Sequence, residues 1–282
     1  MADKDALGDS EGDSSVSDMP PSLAYRPFPP LMKLYYQWSL AGLTTFYVCG
    51  ADQQDRLFAV KLHTGYSMKE PLGPKQGLHL YNGPTTNDPL LAAAGDDSMV
   101  RALPLNNNSR VFLPARRRRG LSQEMMRAYI TADKHVAFSF SLEIGYGKKR
   151  RREVFEWRNI EKSERDESTE HGGFRLFRLP PNPEQDAPGG GSSSQGASTS
   201  SAAASTDDVV AVMAWRRFLT SPKHPFDLKI VGDGLGGSLG DRWTLMALIT
   251  ALRLWELHQR GKTQKAPVAV ADKVGPKEKT AK

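Results

Sequence analysis

The apolar segment at 241–260, DRWTLMALITALRLWELHQR, constrains the fold of this chain more than any other feature. Placed on a helix at 100° per residue, its apolar side chains from Trp243 to Leu252 cover every side. A helix without a polar face must be buried on all sides. The run 245–252 is far shorter than the roughly 20 residues of a membrane span, and the sequence offers no other helix for a bundle. A β-sheet of the same chain must therefore surround this segment.

The ends of this helix are also readable from the sequence. Asp241 is predicted to be the N-cap residue, and Gly261 is predicted to end the helix. Charged residues begin with Arg253 and Glu256, so the C-terminal end is expected to emerge into solvent. Glu256 and Arg260 have the spacing of an exposed i,i+4 ion pair.

Alternation of apolar and polar residues dominates the rest of the chain. In VAFSFSLEI, at 136–144, every second residue is large and apolar, which predicts a half-buried strand. The predicted strands, with a short twelfth candidate at 99–103, are TTFYVCG, LFAVKL, GLHLYNG, LLAAAG, SRVFLPA, MMRAYIT, VAFSFSLEI, REVFEWRNI, GFRLFRL, VVAVMAWRRF and PFDLKIV. Short connections between consecutive strands indicate an antiparallel meander.

The width of the helix selects the size of the barrel. A helix with its side chains is about 10–12 Å across, whereas an eight-stranded barrel has room only for its own side chains. A barrel of about eleven strands can hold a central helix. The predicted fold class is therefore mainly β: a closed antiparallel β-barrel of about 11–12 strands that encloses a hydrophobic C-terminal α-helix.

The glycine motif before this helix, Gly232-x-Gly234-x-x-Gly237, matches that of a dinucleotide-binding turn. Such a turn also requires a second parallel strand after the helix, with an acidic residue for the ribose. The sequence after Arg260 contains no such strand. We therefore predict no dinucleotide and no other cofactor, and we interpret 232–240 as a glycine loop that needs positive φ angles and close packing.

Composition divides the chain into one folded unit and three other segments. Residues 1–22 are predicted to be a disordered acidic N-terminus, and 31–262 a single barrel domain. The low-complexity segment 184–206, which is rich in glycine, serine and alanine, is predicted to be a disordered insertion within that domain. The lysine-rich residues 263–282 are predicted to be a disordered basic tail.

Charge and cysteine content restrict the class of protein. Residues 1–18 contain six acids and one lysine, a net charge of −5, so the whole-chain charge of +6 leaves +11 on the remainder. A positively charged domain attracts anionic lipid or nucleic acid, although positive charge can also simply keep a protein soluble. The single cysteine, Cys49, excludes a disulfide framework. With no secretory signal or membrane span in the sequence, we expect a cytoplasmic protein, with a peripheral membrane or nuclear location as alternatives.

The chain resembles the Tubby C-terminal-like superfamily, which includes Tubby proteins, LURP-one-related proteins and phospholipid scramblases. The resemblance covers about 31–262 and is carried by LHLYNGP…DPLLAAA, by FSFSLEIGYGKKRRREVFEWR and by the terminal helix. It implies a barrel of roughly twelve strands around a hydrophobic helix, and a non-enzymatic function. Tubby proteins bind phosphoinositide headgroups through basic side chains on the barrel wall, which makes an anionic lipid the first expected partner.

Two basic runs are the candidate lipid- and anion-binding residues. They consist of Lys148, Lys149, Arg150, Arg151 and Arg152 on a predicted hairpin, and of Arg116, Arg117, Arg118 and Arg119 after a predicted strand. Near an acidic membrane each basic residue contributes about 1 kcal/mol. The alternatives are a protein or nucleic-acid interaction module with a nuclear-import-type basic run, and a solvated hairpin that only discourages edge pairing.

No pattern in the sequence favours an enzyme. The six histidines lack metal-ligand spacing, and Cys49 has the character of a small buried thiol. Asp233, in the glycine loop, is expected to stabilise a turn. Trp157 and Phe155 could stack on nucleic-acid bases, but they suit the wall of a barrel better. We therefore expect neither a catalytic residue nor a metal ligand.

Overall fold

The computed structural model describes residues 25–37, 45–97, 107–116, 120–145, 147, 150–180, 209–217, 223–264 and 268. Within these residues, twelve strands form a closed barrel in which every pair of neighbours is antiparallel. One α-helix, α1 (Asp241–Gln259), follows the last strand. The strands are β1 (Leu31–Tyr36), β2 (Thr45–Cys49), β3 (Arg56–His63), β4 (Gly77–Tyr81), β5 (Leu90–Asp96), β6 (Ser109–Pro114), β7 (Leu121–Ile130), β8 (Val136–Ile144), β9 (Arg151–Asn159), β10 (Gly173–Arg178), β11 (Val209–Trp215) and β12 (Phe226–Ile230). The predicted fold class is confirmed.

The barrel closes between its first and last strands. β1 pairs with β2 on one side and with β12 on the other, where Met32 lies opposite Leu228. All other strands pair with their neighbours in the chain, as expected for a meander. Closure leaves no strand edge unpaired, which removes the aggregation hazard of an open sheet.

The twelfth strand is β1, in a segment that the sequence analysis did not count. Pro27, Pro29 and Pro30 precede it and mask its alternation, but Met32 and Leu34 are buried and point into the barrel. The short strand candidate at 99–103 lies outside the described residues.

Alternation along the strands places the core inside the barrel. In β8, Val136, Phe138, Phe140, Leu142 and Ile144 are all buried, as the sequence predicted. They belong to one apolar cluster that includes residues of the helix and of the facing strands. The cluster is the single continuous core that such a layered β-structure requires.

The helix α1 is buried on every side over most of its length. Residues 245–257 are buried without interruption. Thr250 keeps its hydroxyl satisfied in this apolar setting, because it donates to the Met246 carbonyl (2.7 Å) and accepts from the Trp157 indole N–H (3.0 Å). The wall and the helix are thus joined by a polar contact in the middle of the core.

The start of α1 differs from the prediction by one residue. Gly240, with φ of 76°, is the N-cap, and Asp241 is the first helical residue. Asp241 still places a negative charge in the first turn, where it interacts favourably with the helix dipole. At the other end, Arg260 is the C-cap and Gly261 has φ of 69°, which agrees with the predicted stop.

The prediction that the C-terminal end of α1 emerges into solvent holds for its last two residues, His258 and Gln259, but it is wrong for Arg253 and Glu256. Arg253 is 0% exposed and Glu256 is 8% exposed. The expected pair of Glu256 and Arg260 does form (3.0 Å), but it is largely buried. Asp96, at the end of β5, explains the difference, because it supplies a carboxylate to Arg253 and, at 2.9 Å, to Arg260. Buried charges require such compensation.

The glycine loop performs the packing role that the sequence suggested. Gly232 has φ of 51°, and Gly232–Gly234 form a 3₁₀ turn. A side chain at Gly234 would approach the Val210 carbonyl oxygen to 2.6 Å and the Trp243 ring to 2.9 Å. Glycine is therefore required for close contact with the wall and the helix, and the antiparallel barrel provides no βαβ unit for a dinucleotide.

The predicted disordered segments 1–22 and 184–206 lie outside the described residues. Of the predicted tail, Thr263 and Val268 are buried against the barrel. No helix within the described part of the chain has both the length and the apolar character needed to span a membrane.

Candidate functional site

One end of the barrel gathers the arginines that the sequence analysis selected. We call it the basic end; α1 begins there, and the described arginines grouped around its start are Arg116, Arg150, Arg151, Arg152, Arg178 and Arg242. The opposite end, where α1 finishes, is the helix-exit end. The antiparallel meander produces this arrangement, because the end of β8 and the start of β9 meet in one hairpin.

The structure brings the described residues of the two basic runs, Arg116 and 150–152, to the same hairpin. Arg116, just after β6, donates to the backbone carbonyls of Gly145 (2.9 Å) and Glu143 (2.6 Å) at the end of β8. The second run begins three residues after Gly145 in the sequence. Two segments that are about thirty residues apart in the chain therefore meet at the same hairpin. Their proximity follows from the barrel closure and is not visible in the sequence.

The arginines of the hairpin contact carboxylates of the barrel wall. Arg152 binds Glu124 on β7 (2.7 Å) and the Ser141 hydroxyl (2.8 Å). Arg151 binds Glu153 at 2.5 Å, and its side chain is 58% exposed. The Arg152 side chain is 57% exposed. Because surface ion pairs are weak, both guanidinium groups remain accessible to an anionic ligand.

Arg150 is less accessible than its two neighbours. Its side chain is 20% exposed and lies 3.8 Å from the Glu143 carboxylate, and it also donates to the Gly147 carbonyl (3.4 Å). This contact braces the hairpin itself. The remaining predicted site residues, Lys148, Lys149, Arg117, Arg118 and Arg119, lie outside the described residues.

Arg178, at the end of β10, belongs to the same end although the sequence analysis missed it. Its guanidinium binds both carboxylate oxygens of Glu153 (2.7 and 3.0 Å) and the carboxylate of Asp233 in the glycine loop (2.7 Å). The hydrogen bonds to Glu153 raise the pKa of Arg178. Asp233 thus anchors the glycine loop to the wall. Alternation within GFRLFRL places Arg178 on the same side of the strand as the buried Phe174 and Leu176, so nothing in the sequence signalled Arg178 or its partners.

Arg242, in the first turn of α1, is the second arginine that the sequence analysis missed. It donates to the Pro114 carbonyl and to the Ser122 hydroxyl (2.9 Å), and it lies 3.6 Å from Glu124. Burial lowers the pKa of Arg242, yet its partners keep the guanidinium satisfied. It fixes the start of the helix to β6 and β7, so it is a positioning residue beneath the exposed arginines.

The described aromatic residues of β9 do not form a stacking surface. Trp157 and Phe155 on β9 are both 0% exposed and face the core. Phe155 packs 5.8 Å from the Trp243 ring of the helix. They therefore contribute to the core rather than to a surface for bases, as the sequence analysis favoured.

The helix-exit end carries a cleft of about 450 Å³, whose lining includes His135, Glu161, Trp215 and His258. His135 binds Glu161 (2.8 Å), while His258 stacks on Trp215 (4.6 Å between ring centroids) and binds the Thr263 hydroxyl (2.9 Å). These four side chains are largely engaged with one another. Their arrangement gives the cleft no concentrated charge of one sign.

The described residues show no metal-binding group of three or more histidine, cysteine, aspartate or glutamate side chains. Cys49 is buried, and burial raises the pKa of its thiol to about 11. A thiol with that pKa is almost entirely protonated at neutral pH and is a poor nucleophile.

Comparison with known proteins gives no match to this chain among family models, curated proteins or solved structures.

Proposed function

We propose that this protein is a non-enzymatic binding module whose basic end binds anionic lipid headgroups, with phosphoinositides as the first candidates. The binding residues in this proposal are those of the two basic runs, 116–119 and 148–152. The single observation that carries it is the contact of Arg116 with the carbonyls of Glu143 and Gly145, which joins the two runs at one end of the barrel.

The charge balance at this end supports an anionic ligand. The two runs contain nine basic residues, whereas their described members contact three carboxylates, those of Glu124, Glu143 and Glu153. Arg178 and Arg242 share two of these carboxylates. With Asp233, which binds Arg178, four carboxylates contact the six described arginines of this group, and the excess positive charge favours phosphate-bearing surfaces.

As part of the same proposal, we assign the chain to the Tubby C-terminal-like superfamily. The twelve-stranded antiparallel barrel with a buried C-terminal helix supports this assignment. The implied mechanism is electrostatic: guanidinium and ammonium groups bind headgroup phosphates while the barrel stays closed and supplies a rigid platform.

Co-sedimentation with vesicles tests the proposal. The full chain is mixed with phosphatidylcholine vesicles that contain or lack a phosphoinositide, and the bound fraction is measured at physiological salt. Reversal of 148–152 to glutamate is expected to weaken binding at least a hundredfold, since each basic residue contributes about 1 kcal/mol near an acidic membrane. A control variant reverses Lys134 and Lys162, two exposed lysines at the helix-exit end, and should bind like the parent chain.

Two results contradict the lipid proposal. One is the absence of binding to phosphoinositide vesicles, and the other is binding that survives reversal of 148–152. If the parent chain instead binds a single-stranded oligonucleotide or a defined protein at the same salt, and the reversal abolishes that binding, the alternative interaction module is the better account.

A further inference from the structure

The large apolar side chains that are exposed fall at both ends of the barrel. Among the described residues they are Leu31 (37%) and Leu235 (58%) at the basic end, and Tyr66 (80%) and Met68 (59%) in the β3–β4 connection at the helix-exit end. An exposed apolar side chain on its own needs no explanation. Leu235 and Leu31 differ from the other two because they lie on the same end of the barrel as the exposed arginines, and Leu235 is the more exposed of the pair.

A continuous series of polar contacts links the Leu235 loop to the basic hairpin. Two residues before Leu235, the Asp233 carboxylate binds Arg178 (2.7 Å). Arg178 binds Glu153, which in turn binds Arg151. The loop that carries Leu235 and the exposed guanidinium of Arg151 are thus held in a fixed spatial relation by described side chains.

Hydrogen bonds and packing against the barrel hold the backbone around Leu235 in place. The Leu235 amide donates to the Gly232 carbonyl and the Gly240 amide to the Gly237 carbonyl, each at 3.0 Å. Gly234 lies directly against the Trp243 ring and the Val210 carbonyl. Further out, a side chain placed at Gly237 would meet no atom within 4 Å, so this part of the loop borders open space. The loop therefore holds Leu235 at the surface on a packed base.

Leu31 adds a second exposed apolar side chain at this end. It is the first residue of β1 and lies opposite Lys229, and alternation directs it outward while Met32 points into the core. Lys229 is followed, within three residues, by the glycine loop. Leu31 is less exposed than Leu235, and its contribution is expected to be the smaller one.

We propose that Leu235, assisted by Leu31, inserts into the apolar layer beneath the headgroups of an anionic membrane while Arg151 and Arg152 contact the headgroup phosphates. This inference rests on the proposed function and specifies a lipid bilayer as the partner. Apolar side chains next to basic ones are what an interfacial protein presents to an acidic membrane, because burial of the former and attraction of the latter act together. A nucleic acid offers no comparable apolar layer at its phosphate surface.

The first test compares two alanine substitutions with the same exposure at opposite ends. Leu235→Ala is expected to weaken binding to phosphatidylcholine vesicles containing phosphatidylserine by about tenfold, since most of an inserted side chain's transfer free energy is lost. Met68→Ala should leave binding unchanged. Both residues are exposed, so neither substitution should lower the thermal unfolding midpoint, and a thermal melt checks this.

The second test reports insertion directly. Leu235→Cys is labelled with an environment-sensitive fluorophore, and Met68→Cys carries the same label as the control. The native Cys49 is 0% exposed and stays unlabelled. On acidic vesicles the label at position 235 should shift to the blue and be quenched by spin-labelled acyl chains, while the label at position 68 should show neither effect.

The outcomes separate this inference from the proposed function. Binding of the parent chain with an unaffected Leu235→Ala variant and no spectral shift at position 235 overturns insertion and leaves headgroup binding intact. Absence of binding by the parent chain overturns both. Equal shifts at positions 235 and 68 overturn the assignment of the membrane-facing side to the basic end.

Discussion

The two ends of this barrel both concentrate arginine, but they use it in opposite ways. At the basic end, Arg151 and Arg152 are more than half exposed and each binds one wall carboxylate. At the helix-exit end, Arg253 is 0% exposed and binds Asp96, Glu256 and the Ser109 hydroxyl (2.9 Å). Arginine is thus a surface residue at the basic end, whereas at the helix-exit end it is a buried residue that joins the helix to the barrel wall.

Charge at the helix-exit end stabilises the fold, whereas charge at the basic end is available for a ligand. Burial opposes ionisation of Asp96, but Arg253, Arg260 and Lys262 outweigh burial and hold the pKa of this carboxyl below its ordinary value. Such a network fixes the end of the helix to β5 and β6. At the basic end, the guanidinium groups of Arg151 and Arg152 are more than half exposed to water, so a phosphate can replace or join the carboxylate at little cost.

Removal of the buried arginine is the strongest test of this contrast. Arg253→Met leaves the carboxylates of Asp96 and Glu256 short of a partner, and we expect it to lower the free energy of unfolding by about 3–5 kcal/mol. Urea denaturation followed by circular dichroism measures the change. Arg253→Lys keeps the charge and should cost less. A loss below about 1 kcal/mol for Arg253→Met would show that the network is not structural.

Acid should destabilise the protein through the buried His79, which lies beside His63 and Lys69 on the helix-exit side. Burial, reinforced by these neighbours, lowers the pKa of His79 to about 4. Between that value and the ordinary value of about 6.5, the unfolded chain binds a proton that the folded chain does not, so stability falls as pH falls. From pH 7 to pH 5 we expect a loss of about 2 kcal/mol.

Urea denaturation at the two pH values checks the His79 prediction. His79→Gln should remove most of the pH dependence in this window, whereas the exposed His171→Gln should retain it. An unchanged slope in the His79 variant would assign the effect to other groups.

The hydrogen bond between Trp157 and Thr250, midway between the two ends, should make an intermediate contribution to the free energy of unfolding. Thr250→Val removes the acceptor of the Trp157 N–H inside a dry core, and an unpaired buried donor costs about 1.5 kcal/mol. Thr250→Ser retains the hydroxyl and is the control for the loss of the hydrogen bond. Denaturant midpoints of the two variants should differ, and equal midpoints would argue that the indole finds another acceptor.

The smallest effect on stability is expected at the basic end. Arg152→Ala breaks the exposed contact with Glu124, and we expect a loss of at most about 1 kcal/mol. The same denaturation assay measures it next to the Arg253 variant. Comparable losses for the two variants would contradict the distinction between the ends.

Much of the architecture was predictable because it depends on local patterns. Residues 243–252 lack a polar face, and β8 alternates without error, so helix burial and a surrounding sheet follow from periodicity alone. β1 escaped prediction because three prolines just before it resemble a loop. The N-cap was misplaced by one residue because Asp241 has the side chain of a cap, whereas positive φ at Gly240 is not written in the sequence.

The candidate site was predictable only in part, because its geometry depends on distant residues. The two basic runs were evident as composition, but the contact of Arg116 with the β8–β9 hairpin depends on barrel closure. Likewise, Arg253 looked solvent-exposed because Asp96, its partner, lies 157 residues away in the chain. Sequence patterns indicate the face of a strand or helix on which a residue lies, but they do not indicate which charged residue will form an ion pair with it.

Pairing of β1 with β12 also has a consequence for biosynthesis. The strand that closes the barrel, β12, and the helix that fills it leave the ribosome after the other eleven strands, so Leu31 can pair with Lys229 only late in synthesis. Contacts of such long sequence separation form slowly. Until translation reaches Leu257, a nascent chain therefore contains many strands whose apolar side chains have no helix to pack against. A chain truncated before Asp241 would lack the helix, so its strands would have no core to close around.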